Sequence, residues 1–309
     1  MSSLLEMREK LREIYGKYEV YFTPLFKFLL ALITLLCING TIGYMDKLNN
    51  AVIVLVVSLM CSFLPTNFII VIGAGFICGH LYTVSFECAV IAIALFLLMF
   101  ILYFRFAPKD TIVVILLPIC FALKIPYVVP IVVGLLATPV SVVSVGCGTI
   151  IYYLITYVKD NAQTINSLEA DGAVAKFRYV IDGLMENKEI AITLVAFSAM
   201  TVIVYIIRRL SVDHAWTIAM CVGAVVGVVV LLFGDLAYDT HNSIGFMILG
   251  MIISILLSLV VKFFVHNVDY SRTEYVQFED EEYYYYVKAV PKNSVAKSKV
   301  TVKKITSVL

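Results

Sequence analysis

Between residues 51 and 158 the apolar runs of this chain break at prolines where a simple membrane-spanning helix would not break. Residues 51–64 are apolar, Pro65 interrupts, a second short run ends near Gly79, and a full-length run follows over 86–104. The plan then recurs, with an apolar run over 111–123, the break Lys124-Ile125-Pro126, a short run to Ala137, Pro139, and a longer segment over 141–158. Pro65 and Gly73 stand at the same separation as Pro126 and Gly134, so one offset superimposes both pairs. The short runs are about 13 to 15 residues, roughly 20 Å of helix against a hydrocarbon core of about 30 Å. Two re-entrant helical hairpins in an inverted repeat are therefore predicted. Non-helical backbone is tolerated at membrane depth only where protein or water satisfies it. Paired Pro/Gly-interrupted segments in two halves point to a transporter's binding site. Thin, tilted spans are the competing reading, because mismatch costs only fractions of a kcal/mol per Å.

The flanking pattern completes an all-α integral membrane protein with about six transmembrane helices, the two hairpins and a small cytoplasmic β-hairpin tail. Residues 1–20 alternate apolar and basic positions at helical spacing and predict an interfacial amphipathic helix. Residues 21–158 hold the first span and the duplicated hairpin-span units. Residues 159–188 are the longest polar interruption before the tail; Val174, Phe177, Ile181, Leu184 and Met185 give them the stripe of an amphipathic helix on the membrane surface. Three spans follow within 189–266, at 190–207, 215–233 and 243–266. Gly223 and Gly227 form a G-x-x-x-G that suits close helix approach, within the bundle or between copies.

Composition agrees with this class and narrows the partners. The 309 residues are 61% hydrophobic and 15% charged, whereas soluble domains average about 45 to 50% apolar residues. A net charge of +1 gives no field that points to nucleic acid. The seven cysteines lie in apolar segments without metal or C-x-x-C spacing and read as reduced packing residues. No cleavable signal peptide is expected, since a charged arm precedes the first apolar segment. Lys and Arg gather in the N-terminal arm, the Arg105/Lys109 and Arg208/Arg209 turns and the tail, while 45–50 contains only Lys47 and 234–242 none. Both termini are thus expected in the cytoplasm, with the 159–188 loop outside.

Ionisable groups inside apolar runs are the candidate chemistry, because one at the bilayer centre costs at least about 2.5 kcal/mol. Lys27 is close enough to the start of its span to snorkel. That leaves Lys124 at the second hairpin tip, Glu87 at the start of the span after the first hairpin, and His80 between. With Pro65, Pro126, Gly73 and Gly134 they form the candidate substrate or ion pathway. A Glu87/Lys124 pair at the repeat interface would neutralise both charges; alternatively Lys124 snorkels and Glu87 caps its helix. Asp235, Asp239 and His241 have a spacing that suits a solvated turn better than a metal site, and two aspartates four apart do not match an intramembrane aspartyl protease. No H-E-x-x-H, G-x-S-x-G or P-loop occurs, so no enzyme, cofactor or metal is expected.

The tail, residues 267–309, changes composition. Strand-like runs over 273–278 and 283–290 flank the acidic turn Glu279-Asp280-Glu281-Glu282 and predict a β-hairpin. Tyr275, Phe278, Tyr283, Tyr284, Tyr285 and Tyr286 make it a candidate partner-binding element, for a second copy or another membrane protein. Beyond Pro291, Lys297, Lys299, Lys303 and Lys304 suit anionic lipid.

At Asn267-Val-Asp-Tyr-Ser-Arg-Thr-Glu, at Tyr-Tyr-Tyr-Tyr-Val-Lys-Ala-Val-Pro291 and at Arg208-Arg-Leu-Ser-Val-Asp-His-Ala-Trp216, the chain resembles an uncharacterised family of bacterial multi-pass membrane proteins. The duplication over 51–158 is similar in plan to DedA-type proteins, which are lipid or proton-coupled transporters. Leu64-Pro65-Thr66 lacks the acidic residue such proteins carry beside the hairpin's Pro-Gly. The first resemblance implies a bacterial membrane protein and brings no known activity; the second, with the inverted hairpin repeat, implies an inner-membrane protein of transport type, for a small solute or lipid, with its site at the hairpin tips. A non-transporting scaffold that recruits partners or self-associates through its Tyr-rich tail is the alternative reading.

Overall fold

A computed structural model describes residues 2–167, 173–238, 243–265, 274–279 and 282–289. It divides into two compact units, residues 20–262 and a smaller one of residues 1–19 with 263–309. In chain order the helices are α1 (Ser2–Lys17), α2 (Glu19–Ile42), α3 (Ala51–Phe63), α4 (Asn67–Val84), α5 (Phe86–Phe106), α6 (Thr111–Ala122), α7 (Val128–Leu136), α8 (Val142–Ser167), α9 (Ala173–Glu186), α10 (Lys188–Arg208), α11 (Ala215–Tyr238) and α12 (Ile244–Val265). Strands β1 (Glu274–Glu279) and β2 (Tyr284–Ala289) follow.

Seven of these helices, counting α8 together with the 3-10 turn Pro139–Ser141, are long and apolar enough to cross a membrane. That is one more than the six expected. The additional one is α4, whose run continues past Gly79 to Val84 for 18 residues. His80 does not stop it, because every polar atom of the buried ring finds a partner, as described below.

Side chains fix the direction of each element. Lys27 Nζ donates to the Leu64 carbonyl at 3.1 Å, and Ser62 Oγ donates to the Pro24 carbonyl at 2.9 Å. The turn at Pro65 therefore lies beside the first third of α2. The open ends of α3 and α4 meet the loop of residues 43–50, where a Cβ at Gly79 would lie 2.7 Å from Leu48. α5 runs back, and Tyr103 bonds Thr111 at 2.9 Å and the Pro108 carbonyl at 3.1 Å, with Asn67 accepting from Thr111.

From that end α6 rises alongside α8. Ser144 donates to Asp110 at 3.5 Å near their starts, and Phe121 stacks on Tyr152 at 4.1 Å near the top of α6. α7 descends to Ala137, whose carbonyl accepts from Arg208 Nη2 at 2.6 Å. The two short helix pairs thus open toward opposite ends of the bundle, hereafter the Asp160 end for the first and the Arg208 end for the second.

α8 runs nine residues past the expected boundary at 158, because Ala162 and Ile165 continue to bury in the same cluster as Val180 of α9. The predicted surface loop is therefore largely helical. Its stripe divides: Val180 is buried, Phe177 and Leu184 are half-buried, and Val174, Ile181 and Met185 stay exposed. Gly223 and Gly227 pack against Val204 and Met200 of α10, so the G-x-x-x-G serves the bundle.

In the smaller unit Arg8 of α1 donates to the Phe263 carbonyl at 3.3 Å and lies over the Phe263 ring. Met7, Leu11, Ile14 and Tyr18 form an exposed apolar stripe. β1 and β2 pair antiparallel with Phe278 opposite Tyr285. Tyr283, Tyr284, Tyr285 and Tyr286 are all exposed, from 37% for Tyr285 to 75% for Tyr286. The basic residues beyond Pro291 lie outside the described residues.

The two matched glycines do different work. A Cβ at Gly134 would lie 2.7 Å from Val204 and 2.8 Å from the Thr201 carbonyl oxygen, whereas one at Gly73 has its nearest neighbour at 3.7 Å. Gly134→Ala should lower stability by about 1 to 3 kcal/mol through overpacking, and Gly73→Ala should cost far less. Unfolding of the two variants in mixed micelles measures the difference.

Candidate functional site

The apolar run of α6 ends in a left-handed residue that is not glycine. Lys124 has φ 60°, its amide donates to the Phe121 carbonyl, and the Ile125 amide donates to the Cys120 carbonyl, both at 2.9 Å. This is a Schellman closure with lysine where glycine is favoured. Its position follows from length: α6 has 12 residues and α7 nine, so their arms reach about 18 and 14 Å. The 21-residue α10 reaches about 32 Å. The second hairpin consequently stops short of the Asp160 end.

Above its tip α8, α10, α11 and α12 enclose a cavity of about 550 Å³. Phe121, Lys124, Pro126 and Tyr127 form its floor. α8 supplies Tyr152/Tyr153, Thr156/Tyr157 and Asp160/Asn161, pairs four residues apart that share one helical face. Asn187, Glu189 and Thr193 come from α10 and its cap, Asp235 from α11 and Phe246 from α12. Tyr153 and Thr193 bond across the cavity wall at 2.9 Å, and Asn187 caps α10 by accepting from the Glu189 amide at 3.0 Å.

The rim is held from outside by α9. Tyr157 donates to the Tyr179 carbonyl at 3.1 Å, Tyr179 donates to Asn161 Oδ1 at 2.9 Å, and Gly183 lies directly on the Tyr157 ring. Among the described residues the lining carries the carboxylates of Asp160, Glu189 and Asp235 and one ammonium, that of Lys124. The Lys124 backbone is level with Gly250, while its Nζ reaches to 5.8 Å from the Phe246 ring centre. The stem thus climbs about one turn of α12 toward the rim, the snorkelling expected of a lysine on an apolar wall.

The residues singled out from the sequence separate. Lys124 and Pro126 line the large cavity. Gly73 lines a smaller apolar cavity of about 80 Å³ between α4 and α6. Gly134 is a packing contact, and Pro65 is exposed at the first turn. Glu87 accepts from Ser85 in the first turn of α5 and is influenced by Lys176 of α9. Glu87 and Lys124 therefore do not pair; each has other neighbours. Lys27 does not simply snorkel, since it caps the end of α3.

His80 is fully buried and structural. The Met45 amide donates to Nδ1 at 3.0 Å, so Nε2 carries the proton and donates to Asn39 Oδ1 at 2.8 Å. Asn39 Nδ2 in turn donates to the Leu48 carbonyl at 2.8 Å. Among the described residues no group of His, Cys, Asp and Glu is placed to hold a metal ion. Asp239 and His241 lie outside the described residues.

Sequence reasoning missed the tyrosines and carboxylates of the cavity wall. The signal was the repeated polar or aromatic pairs on α8, hidden because tyrosine reads as apolar in a hydropathy window.

Seven helices long and apolar enough to cross a membrane make this an all-α multi-pass membrane protein. No family model matches the chain, and no curated protein or solved structure is significantly similar to it. The likeness to DedA-type proteins thus remains one of pattern.

His80→Leu should strand the Met45 amide and the Asn39 side chain and lower stability by about 1 to 3 kcal/mol. Hydrogen exchange in residues 43–50 should rise with it. Unchanged protection of the Met45 amide would contradict the clamp.

Proposed function

We propose that this chain is a transport-type protein of the bacterial inner membrane that carries a small solute or lipid, with its site above the second hairpin tip. The observation that carries this reading is Lys124, held at positive φ on the cavity floor. A non-glycine residue there costs about 1 to 2 kcal/mol. Strain of this kind persists where the surrounding structure over-determines it, and it clusters at ligand-binding sites. The opposite openings of the two hairpins support an inverted repeat, and the stunted second hairpin supports re-entry. In the orientation that places both termini and Arg208 in the cytoplasm, the cavity opens outward. A closed, dry core would have favoured the scaffold reading instead.

The exposed tyrosines of the β-hairpin favour a second role, in association. Deleting residues 274–309 should reduce the oligomer or remove a co-purifying protein in nanodiscs. An unchanged assembly with unchanged companions would end that reading.

For transport, Thr156→Cys in a protein lacking its native cysteines should react with an impermeant thiol reagent from the cavity side. A fraction should also react from the opposite face as the site changes access. Protection from both faces would sink the proposal. Lys124→Gly should relieve the strained turn and raise stability by about 1 kcal/mol in thermal unfolding.

A further inference from the structure

If the cavity is the substrate site proposed above, its lining specifies the charge and kind of ligand, and we infer that it takes an alkylammonium group. Three carboxylates, Asp160, Glu189 and Asp235, line it against one ammonium, Lys124. Anionic solutes are repelled by that balance and cations drawn in. The same residues do not suit an inorganic cation. A bare metal ion needs several oxygens converging at about 2 to 2.6 Å. Among the described residues no such group of acidic side chains converges.

The rest of the lining is rich in aromatic rings. Tyr152, Tyr153 and Tyr157 project from one face of α8, with Tyr127 and Phe246 on other walls. Carboxylates in an aromatic-lined cavity suit an organic ammonium, which accepts cation–π contact where a hydrated metal ion keeps its water. The bundle already uses this chemistry at the same end: Lys124 lies 5.8 Å from the Phe246 ring centre and Lys188 5.8 Å from that of Tyr238. At about 550 Å³ the space accommodates a small organic ion, within the usual range for ligand cavities of about 300 to 1,000 Å³. Lys124 then acts as a resident competitor, one positive charge that an entering cation must share the site with.

An alkylammonium group reaches such a cavity either as a free solute or as the headgroup of a choline or ethanolamine lipid. The full chain in nanodiscs of phosphatidylglycerol alone, probed with radiolabelled tetraethylammonium, separates these sources. Saturable binding is expected, weakened at least tenfold in a Glu189→Gln, Asp160→Asn double variant and severalfold by Tyr152→Leu. Lys124→Gly, expected to be at least as stable as the parent, should bind the probe more tightly. Adding phosphatidylcholine leaves binding unchanged if the ligand is a free solute and displaces the probe if it is a headgroup; both outcomes support an ammonium site. No saturable binding, or binding unchanged in both the double variant and Lys124→Gly, overturns it. The transport reading fails separately: probe binding with Thr156→Cys never reached from the opposite face leaves a cation site without transport. Two-sided access without probe binding removes only the cation.

Discussion

A helix broken at membrane depth leaves carbonyls that lipid cannot satisfy, and the packing of this bundle follows from how each one is met. Lys27 serves Leu64 at the end of α3, Ser62 serves Pro24, Tyr103 serves Pro108 and Arg208 serves Ala137. At the second tip the backbone closes on itself through Lys124 and Ile125. Of the four side-chain bonds, those of Lys27, Ser62 and Arg208 tie the proline-interrupted segments to the long helices α2 and α10. The short helices are therefore positioned by the same contacts that make their ends tolerable.

The two hairpins share a sequence plan but not a depth. α4 has 18 residues and brings the first turn beside Pro24 and Lys27, near the start of α2. α7 has nine and leaves the second turn beneath the outer parts of α8, α10 and α12. A cavity of useful size forms only where a hairpin stops while its neighbours continue. That inequality also explains the glycines. Nine residues must place α7 tightly enough against α10 to be held, and Gly134 against Thr201 and Val204 provides the approach. The longer α4 has packing to spare at Gly73.

Helix existence, the two proline breaks and the tail hairpin were legible because each rests on local pattern: apolar run length, a missing amide proton, alternation of strand formers. The site was legible only at Lys124 and Pro126. Its remaining walls depend on which helix extends past which, a property of several distant segments together. His80 illustrates the opposite failure. An ionisable residue in an apolar run invites a functional reading, yet its partners Asn39 and the Met45 amide lie 41 and 35 residues away. Nothing at short range announces that they satisfy it. For Glu87 the sequence left a pair with Lys124 and a helix-capping role open, and could not show Lys176, which acts on it from a segment read as a surface loop.

α9 presents one covered and one bare face. Its exposed Val174, Ile181 and Met185 lie four to seven residues apart on one stripe, a face that no described part of the bundle covers and that suits the lipid interface. Its other face carries Tyr179 and Gly183, which fix Tyr157 and Asn161 on the cavity rim. Because Gly183 leaves no gap over the Tyr157 ring, α9 cannot slide along α8 without moving that ring. The rim of the cavity is consequently set by the packing of α9 on α8. The hairpin that forms the floor packs on α8 as well, through Phe121 on Tyr152, and on α10 through Gly134. Floor and rim therefore share α8 as a common support, and the depth of the cavity is set by how far α8 and α10 run past the second turn.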